Sequence, residues 1–294
     1  MQPAQLPHAF EMADDARLPF RLWQPAGEVK AVLLALHGFN DSRDQWELPA
    51  IEWLAQGIAV YAPDLRGFGA TPGRGLWAGG RAMAQDAATM VALLRARHPG
   101  QRLVMIGESM GGAVAMLAAE MFNAQADAYV LSSPAVWGRA RMNWAMQAAL
   151  WLASTALPGM TVGRGPVRIR ASDNNAALLA LARNPLTILQ TRFDTLRGLV
   201  DLMDDALAAG TTWRAPGLFL YGGHDELVPP AATRRLWQTL PPDAVRAFYP
   251  DGWHLLTRDL DRAVVNADIA AYVLSGAKPE AAMRAANQWL ATEG

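Results

Sequence analysis

The chain has no cysteine among its 294 residues. This excludes disulfides, thiolate metal sites and a cysteine nucleophile together. A dense Lys/Arg run is also missing: 26 basic side chains nearly balance 27 acidic ones, for a formal net charge of −1. That balance gives no electrostatic reason to expect nucleic acid as a partner. No hydrophobic run suits a membrane span, since the most apolar stretch, residues 142–157, is short and contains Asn143 and Gln147. Residues 1–10 lack the basic-then-apolar pattern of a signal peptide. The compartment expected for the chain as it stands is the cytoplasm, with the periplasm or a membrane surface open to a chain whose leader has been removed. No histidine pair has metal-ligand spacing, so neither a metal nor another cofactor is expected. Internal repeats and low-complexity segments are absent as well.

What is there is apolar: 52% hydrophobic against 18% charged residues. This suits one large globular domain, or one domain carrying an insertion. Residues 17–23 and 29–36 read as strands around the turn Pro25-Ala26-Gly27, the second being apolar throughout, as in a strand buried on both faces of a parallel sheet. Helix at 48–56, strand at 57–62 and helix at 80–97 follow, then strand 102–107, a helix to about 123 and strand 128–132. Strands alternating with helices of this length predict an α/β fold with a mostly parallel sheet. Between 135 and 212 strand signal nearly vanishes. Helical patterns occupy 143–156, 174–183 and 194–209, with Ser172 or Asp173 as a cap for the second. Alternation resumes with strand 217–221, helix 230–239, strand 245–249 and helix 262–274, and an amphipathic tail at 279–290 is expected on the outside. The expected organisation is therefore a core of 1–134 and 213–294 interrupted by a helical segment, 135–212.

The chemistry concentrates at Gly107-Glu108-Ser109-Met110-Gly111-Gly112, where an apolar strand ends and a helix begins. A serine so placed sits in a strained turn with its hydroxyl exposed, and the flanking glycines leave no side chains to clash. The helix behind it aims N–H groups at any oxyanion formed on attack, that of Met110 first. A serine hydroxyl needs a base, and the base needs an acid to fix its tautomer. Both arise in the order Ser, Asp, His at the ends of later strands: Asp225 after Gly222-Gly223-His224, and His254 after Asp251-Gly252-Trp253. His224 competes as base, but adjacent residues on a tight loop rarely reach one point. Asp251 and Glu226 compete as acid; Asp251 belongs to an Asp-Gly turn. Glu108 is expected in a polar pocket behind the turn, and His37 in structural hydrogen bonds.

At these residues the chain resembles the α/β-hydrolase superfamily, and more narrowly its monoacylglycerol lipase and lysophospholipase-like branch, the serine-aminopeptidase type. The resemblance rests on His37-Gly38-Phe39, Pro63-Asp64-Leu65-Arg66-Gly67-Phe68-Gly69, the serine turn, Gly223-His224-Asp225 and Trp253-His254. It implies an α/β-hydrolase fold with a helical cap after the sixth strand, a triad of Ser109, Asp225 and His254, and an oxyanion hole from the N–H groups of Phe39 and Met110. Phe39 departs from the family, which has a small residue after His-Gly; the bulk narrows the acyl site. In the cap, Trp137, Met142, Trp144, Met146 and Trp151 form an adaptable apolar surface. Trp144, Met146 and Trp151 are expected to line the acyl site, and the cap to touch a lipid interface transiently. The implied activity is hydrolysis of carboxylic esters with an apolar acyl chain, monoacylglycerol- or lysophospholipid-like, through an acyl-enzyme. The substrate is a small lipophilic ester, and no protein partner is evident. An acyltransferase on the same triad and a ligand-binding protein on the same fold are the alternatives.

Overall fold

Strand 31–36 shows how the sheet is buried. In the computed structural model, which describes residues 4–5, 8–163 and 169–292, Val32, Leu34 and Leu36 enter one hydrophobic core. Ala31, Leu33 and Ala35 enter a second. Successive side chains of a strand point to opposite faces, so an unbroken apolar run fills two cores at once.

In chain order the strands and helices are β1 Ala4–Gln5, β2 Ala9–Glu11, β3 Arg17–Trp23, β4 Ala31–Leu36, α1 Glu47–Leu54, β5 Ile58–Pro63, α2 Gly80–Arg97, β6 Arg102–Glu108, α3 Met110–Phe122 and β7 Ala128–Ser132. There follow α4 Trp144–Ala156, β8 Thr161–Val162, α5 Asn175–Arg183, β9 Thr191–Arg192, α6 Phe193–Thr212, β10 Gly217–Gly222, α7 Pro230–Thr239, β11 Val245–Tyr249, α8 Arg262–Ser275 and α9 Glu280–Ala291. The main sheet runs β1-β2-β3-β5-β4-β6-β7-β10-β11. It is parallel from β5 to β11 and antiparallel at the β1–β3 edge. One face carries α2, α3 and α7. The other carries α1 and α8, joined where the Trp53 indole donates to the Asn266 carbonyl at 3.0 Å. This is the α/β-hydrolase fold. Counting the two-residue β1, the strand before the long helical segment is the seventh in the chain.

Parallel strands with helical crossovers bring their C-terminal ends to one edge. The loops after β4, β6, β10 and β11 therefore open side by side. The segment between β7 and β10 supplies α4, α5, α6 and the small β8–β9 ribbon. The ribbon is a feature the strand signal did not reveal. Two residues per strand are too few for a pattern, and the pairing needs distant chain to meet. Asn174, not Ser172 or Asp173, caps α5, its side chain accepting from Ala177 N–H. In α6, Leu202, Met203 and Ala206 join the same core as α3, so this helix packs on the sheet's own helical layer. Among the described residues no helix is long and apolar enough to cross a membrane.

Candidate active site

Ser109 stands between β6 and α3 with φ 54° and ψ −114°, a strained conformation that persists only where the surroundings hold it. Its N–H donates to Ser132 O at 2.9 Å, and its carbonyl accepts from Ala113 and Ala135 N–H at 3.1 and 2.9 Å. The glycines two residues away on either side are required by contact. A Cβ on Gly107 would lie 2.2 Å from Gly111 O, and one on Gly111 would lie 2.2 Å from Leu36 O. The turn is thus wedged against the end of β4, with the serine side chain half-buried and facing a cavity of about 450 Å³.

After β10, the Gly223 and His224 N–H groups bond Tyr249 O and Gly252 O at 2.8 and 2.9 Å, which fixes this loop against the one after β11. Asp225 Oδ1 accepts from Leu227 and Val228 N–H at 2.8 and 2.9 Å. Its Oδ2 lies 2.8 Å from His254 Nδ1, both side chains being buried. A carboxylate there draws the proton to Nδ1 and leaves Nε2 as the basic nitrogen. Burial works against each charge, but the imidazole beside it and the two N–H donors hold the Asp225 carboxyl below its ordinary range. Burial likewise opposes the imidazolium, yet the Asp225 carboxylate, reinforced by Glu108, holds His254 above its usual value. Ser109 and His254 line the same cavity. Among the described residues no hydrogen bond joins their side chains.

The rivals of Asp225 and His254 are occupied elsewhere. His224 stacks on Trp253 with centroids 5.2 Å apart, Glu226 accepts from Arg170 N–H at 2.6 Å, and Asp251 is exposed. His37 accepts from Leu65 N–H through Nε2 at 2.9 Å and donates from Nδ1 to Gly38 O at 2.8 Å, so both ring nitrogens are structural. Asp259, pushed up to about 6 by burial, accepts from the Ser172 hydroxyl and from Trp253 N–H at 2.5 and 2.7 Å. It ties the helical segment to the loop that carries His254.

Phe39 N and Met110 N donate no hydrogen bond among the described residues. Both stand at the mouths of loops beside Ser109, and the Phe39 ring leans edge-on against Phe68 at 5.8 Å. The Asn40 carbonyl accepts from Ile188 N–H at 2.9 Å, and its amide donates to Thr191 at 2.7 Å. Those bonds pin the loop after β4 to the helical segment.

Trp144, Met146 and Trp151 are not brought to this cavity. They are 83%, 48% and 57% exposed, and none lines the space over Ser109. The inward stripe of α4 runs through Gln147, Leu150 and Ser154 at helical spacing, turning the two tryptophans to the outside. The cavity is instead walled by Leu178 and Leu181 of α5, Ile188, Leu189, Leu196 of α6 and Leu227. Three polar residues beneath Ser109 that sequence reading did not single out are Asp41, Gln45 and Arg258. Among the described residues no cluster of three or more ligating side chains is placed to hold a metal ion.

Comparison with known proteins bears on this site. The family model described as serine aminopeptidase, S33, matches residues 27–261. The monoacylglycerol lipase of Mycolicibacterium smegmatis is 24% identical over 281 residues, covering 91% of this chain and 96% of that one. The monoglyceride lipase of Homo sapiens is 25% identical over 263 residues, covering 87% and 85%. In structure the chain is similar to the monoacylglycerol lipase of Paleococcus ferrophilus, with a TM-score of 0.75 at 21% identity over 88% of this chain and 99% of that one.

Proposed function

The chain belongs to the serine aminopeptidase S33 family of α/β hydrolases, in its monoacylglycerol lipase-like branch, and we propose that it is a serine hydrolase of carboxylic esters with an apolar acyl chain. The observation that carries this reading is the buried Asp225–His254 pair, at 2.8 Å, whose histidine shares with Ser109 one leucine- and isoleucine-walled cavity. His254 Nε2 takes the hydroxyl proton as Ser109 Oγ bonds to the ester carbonyl carbon. The carbonyl electron pair moves onto oxygen, and the N–H groups of Phe39 and Met110 receive that charge. Collapse expels the alcohol, which takes the proton from His254, and leaves Ser109 acylated. Water then repeats the sequence with His254 as base and frees the acid. Asp225 stabilises the imidazolium formed in each half.

The acyl chain lies along α5 and the start of α6, in a monoacylglycerol- or lysophospholipid-like ester, with residues 135–212 acting as the cap. The named relatives of this branch act on monoacylglycerols, which supports an apolar acyl group. The cap's outer face meets a lipid surface: α4 carries no charged residue, and Trp144, Trp151, Leu152, Leu157 and Met160 are exposed on it and just beyond. Tryptophan at such a face favours the bilayer interface.

Hydrolysis rates across p-nitrophenyl esters from acetate to palmitate, with a monoacylglycerol and a lysophospholipid, test the reading. Medium or long acyl esters should be preferred, and turnover confined to aminoacyl amides would overturn it. Within that panel, Leu178→Ala and Leu181→Ala should each lower catalytic efficiency on laurate by about tenfold while changing acetate little, since a buried methylene contributes about 0.8 kcal/mol. The double variant Trp144→Ala/Trp151→Ala should keep the chain-length profile in solution and bind phospholipid vesicles several-fold more weakly, measured by co-sedimentation. A changed chain-length profile with unchanged vesicle binding would return these tryptophans to the acyl site.

A further inference from the structure

The polar residues buried beneath Ser109 have no part in the steps above, yet they link three of the loops that carry the groups that do. Arg258, four residues beyond His254, is 5% exposed. Its Nη1 donates to Asp41 Oδ2 at 3.1 Å and its Nη2 to Glu108 Oε1 at 2.7 Å. Glu108 immediately precedes Ser109 and is 1% exposed. The same Oε1 accepts from Gln45 Nε2 at 3.2 Å, and Gln45 Oε1 accepts from Gly38 N–H at 2.8 Å. Three loops meet in this network. One bears Phe39 N–H, one bears Ser109, and one bears His254.

A purely structural role fits poorly. Two carboxylates and one guanidinium are buried together, and charged groups removed from water cost more than an apolar filling of the same space. The network stays unsaturated as well, since Glu108 Oε2 and Arg258 Nε have no hydrogen-bond partner among the described residues. All three charged side chains border the Ser109 cavity. A guanidinium presents several donors in a fixed fork, so it can hold two carboxylates at a set separation, which a lysine ammonium cannot.

We infer that Arg258 and Glu108 are positioning residues, which hold the His254 turn in register with Ser109 and with the loop carrying Phe39. The inference rests on the Ser109–His254–Asp225 reading and adds to it a device that sets both the place and the basicity of the histidine. The charged groups facing His254 are Asp225 after β10, Glu108 at the end of β6, and Arg258 on its own turn, with Asp41 beyond Arg258. Glu108 favours the imidazolium and Arg258 opposes it.

The test is the rate of inactivation by a fluorophosphonate, followed across pH for the parent, Glu108→Gln and Arg258→Lys, with melting temperatures alongside. Glu108→Gln keeps an oxygen for Gln45 and Arg258 and removes the charge. Its rate at the optimum should stay within about threefold of the parent, while the acid limb moves to lower pH by about half a unit, because a base that has lost a neighbouring carboxylate deprotonates earlier. Arg258→Lys keeps the charge and loses the fork. It should be slower at the optimum by about tenfold or more, since small misplacements of a base are costly. On an ester, that loss should fall on kcat with KM nearly unchanged. Should Arg258→Lys not fold, the isosteric Glu108→Gln decides by its acid limb. Parent-like rates and parent-like pH limbs in both variants would overturn the inference while Ser109 still labels. A parent enzyme that does not label would instead overturn the reading on which it rests.

Discussion

Replacing Ser109 with alanine should lower ester hydrolysis by about 10³-fold or more, because without the nucleophile only binding and oxyanion stabilisation remain. The fold should survive. The Ser109 hydroxyl makes no hydrogen bond among the described residues, and the backbone bonds of the turn, Ser109 N–H to Ser132 O and Ala135 N–H to Ser109 O, do not involve it. Alanine adopts the same backbone at similar cost, so the melting temperature should stay within about 2 °C. Steady-state rates on an octanoyl ester and a thermal melt measure both. Activity within tenfold of the parent would remove Ser109 from its role, and a collapsed melting temperature would show the side chain to be structural.

The second large effect is expected at the acid. Asp225→Asn should cost about 10²–10⁴-fold. An asparagine oxygen still accepts from Leu227 and Val228 N–H, as Oδ1 does now, which turns its NH₂ toward His254. The imidazole must then carry its proton on Nε2, where the base is needed. The sign of the pH change follows from the electrostatics. The Asp225 carboxylate holds His254 above its ordinary range, so its removal lowers that value and carries the acid limb of the residual activity to lower pH. Asp251→Asn should be nearly neutral, within about threefold, as for most exposed substitutions. Rates for the two variants measured side by side are decisive: the reverse ranking would make Asp251 the acid.

The parts legible from sequence are those whose signal is local. β4 reads as doubly buried because all six of its residues are apolar and each lies at the sheet centre. The span of α2, Gly80–Arg97, is the span expected, because Gly79 precedes it and Pro99-Gly100 follows. Ser109, Asp225 and His254 stand out because each sits just past a strand, among glycines that permit tight turns. Of the buried network only Glu108, next to the serine turn, is expected from sequence in a polar pocket; its partners Asp41, Gln45 and Arg258 have no such signal. The network joins three segments far apart in the chain, around 41–45, 108 and 258, and a buried arginine next to a leucine-rich turn looks in sequence like a surface one. The orientation of α4 is hidden for another reason. Composition correctly marks α4 as apolar, but the side facing the core is decided by the docking of Gln147, Leu150 and Ser154, and that placed Trp144 and Trp151 outward. The apolar wall of the Ser109 cavity comes instead partly from α5, whose Leu178 and Leu181 have no feature in sequence that sets them apart from other helix leucines.

Rapid-quench mass spectrometry of the folded enzyme turning over an octanoyl ester tests the central claim most directly. The account predicts an octanoyl group on the peptide containing Ser109, forming no slower than the alcohol is released and decaying at the rate of deacylation. Ester turnover by folded enzyme with the adduct on another residue, or with none on Ser109 when a fluorophosphonate also fails to label it, would contradict it.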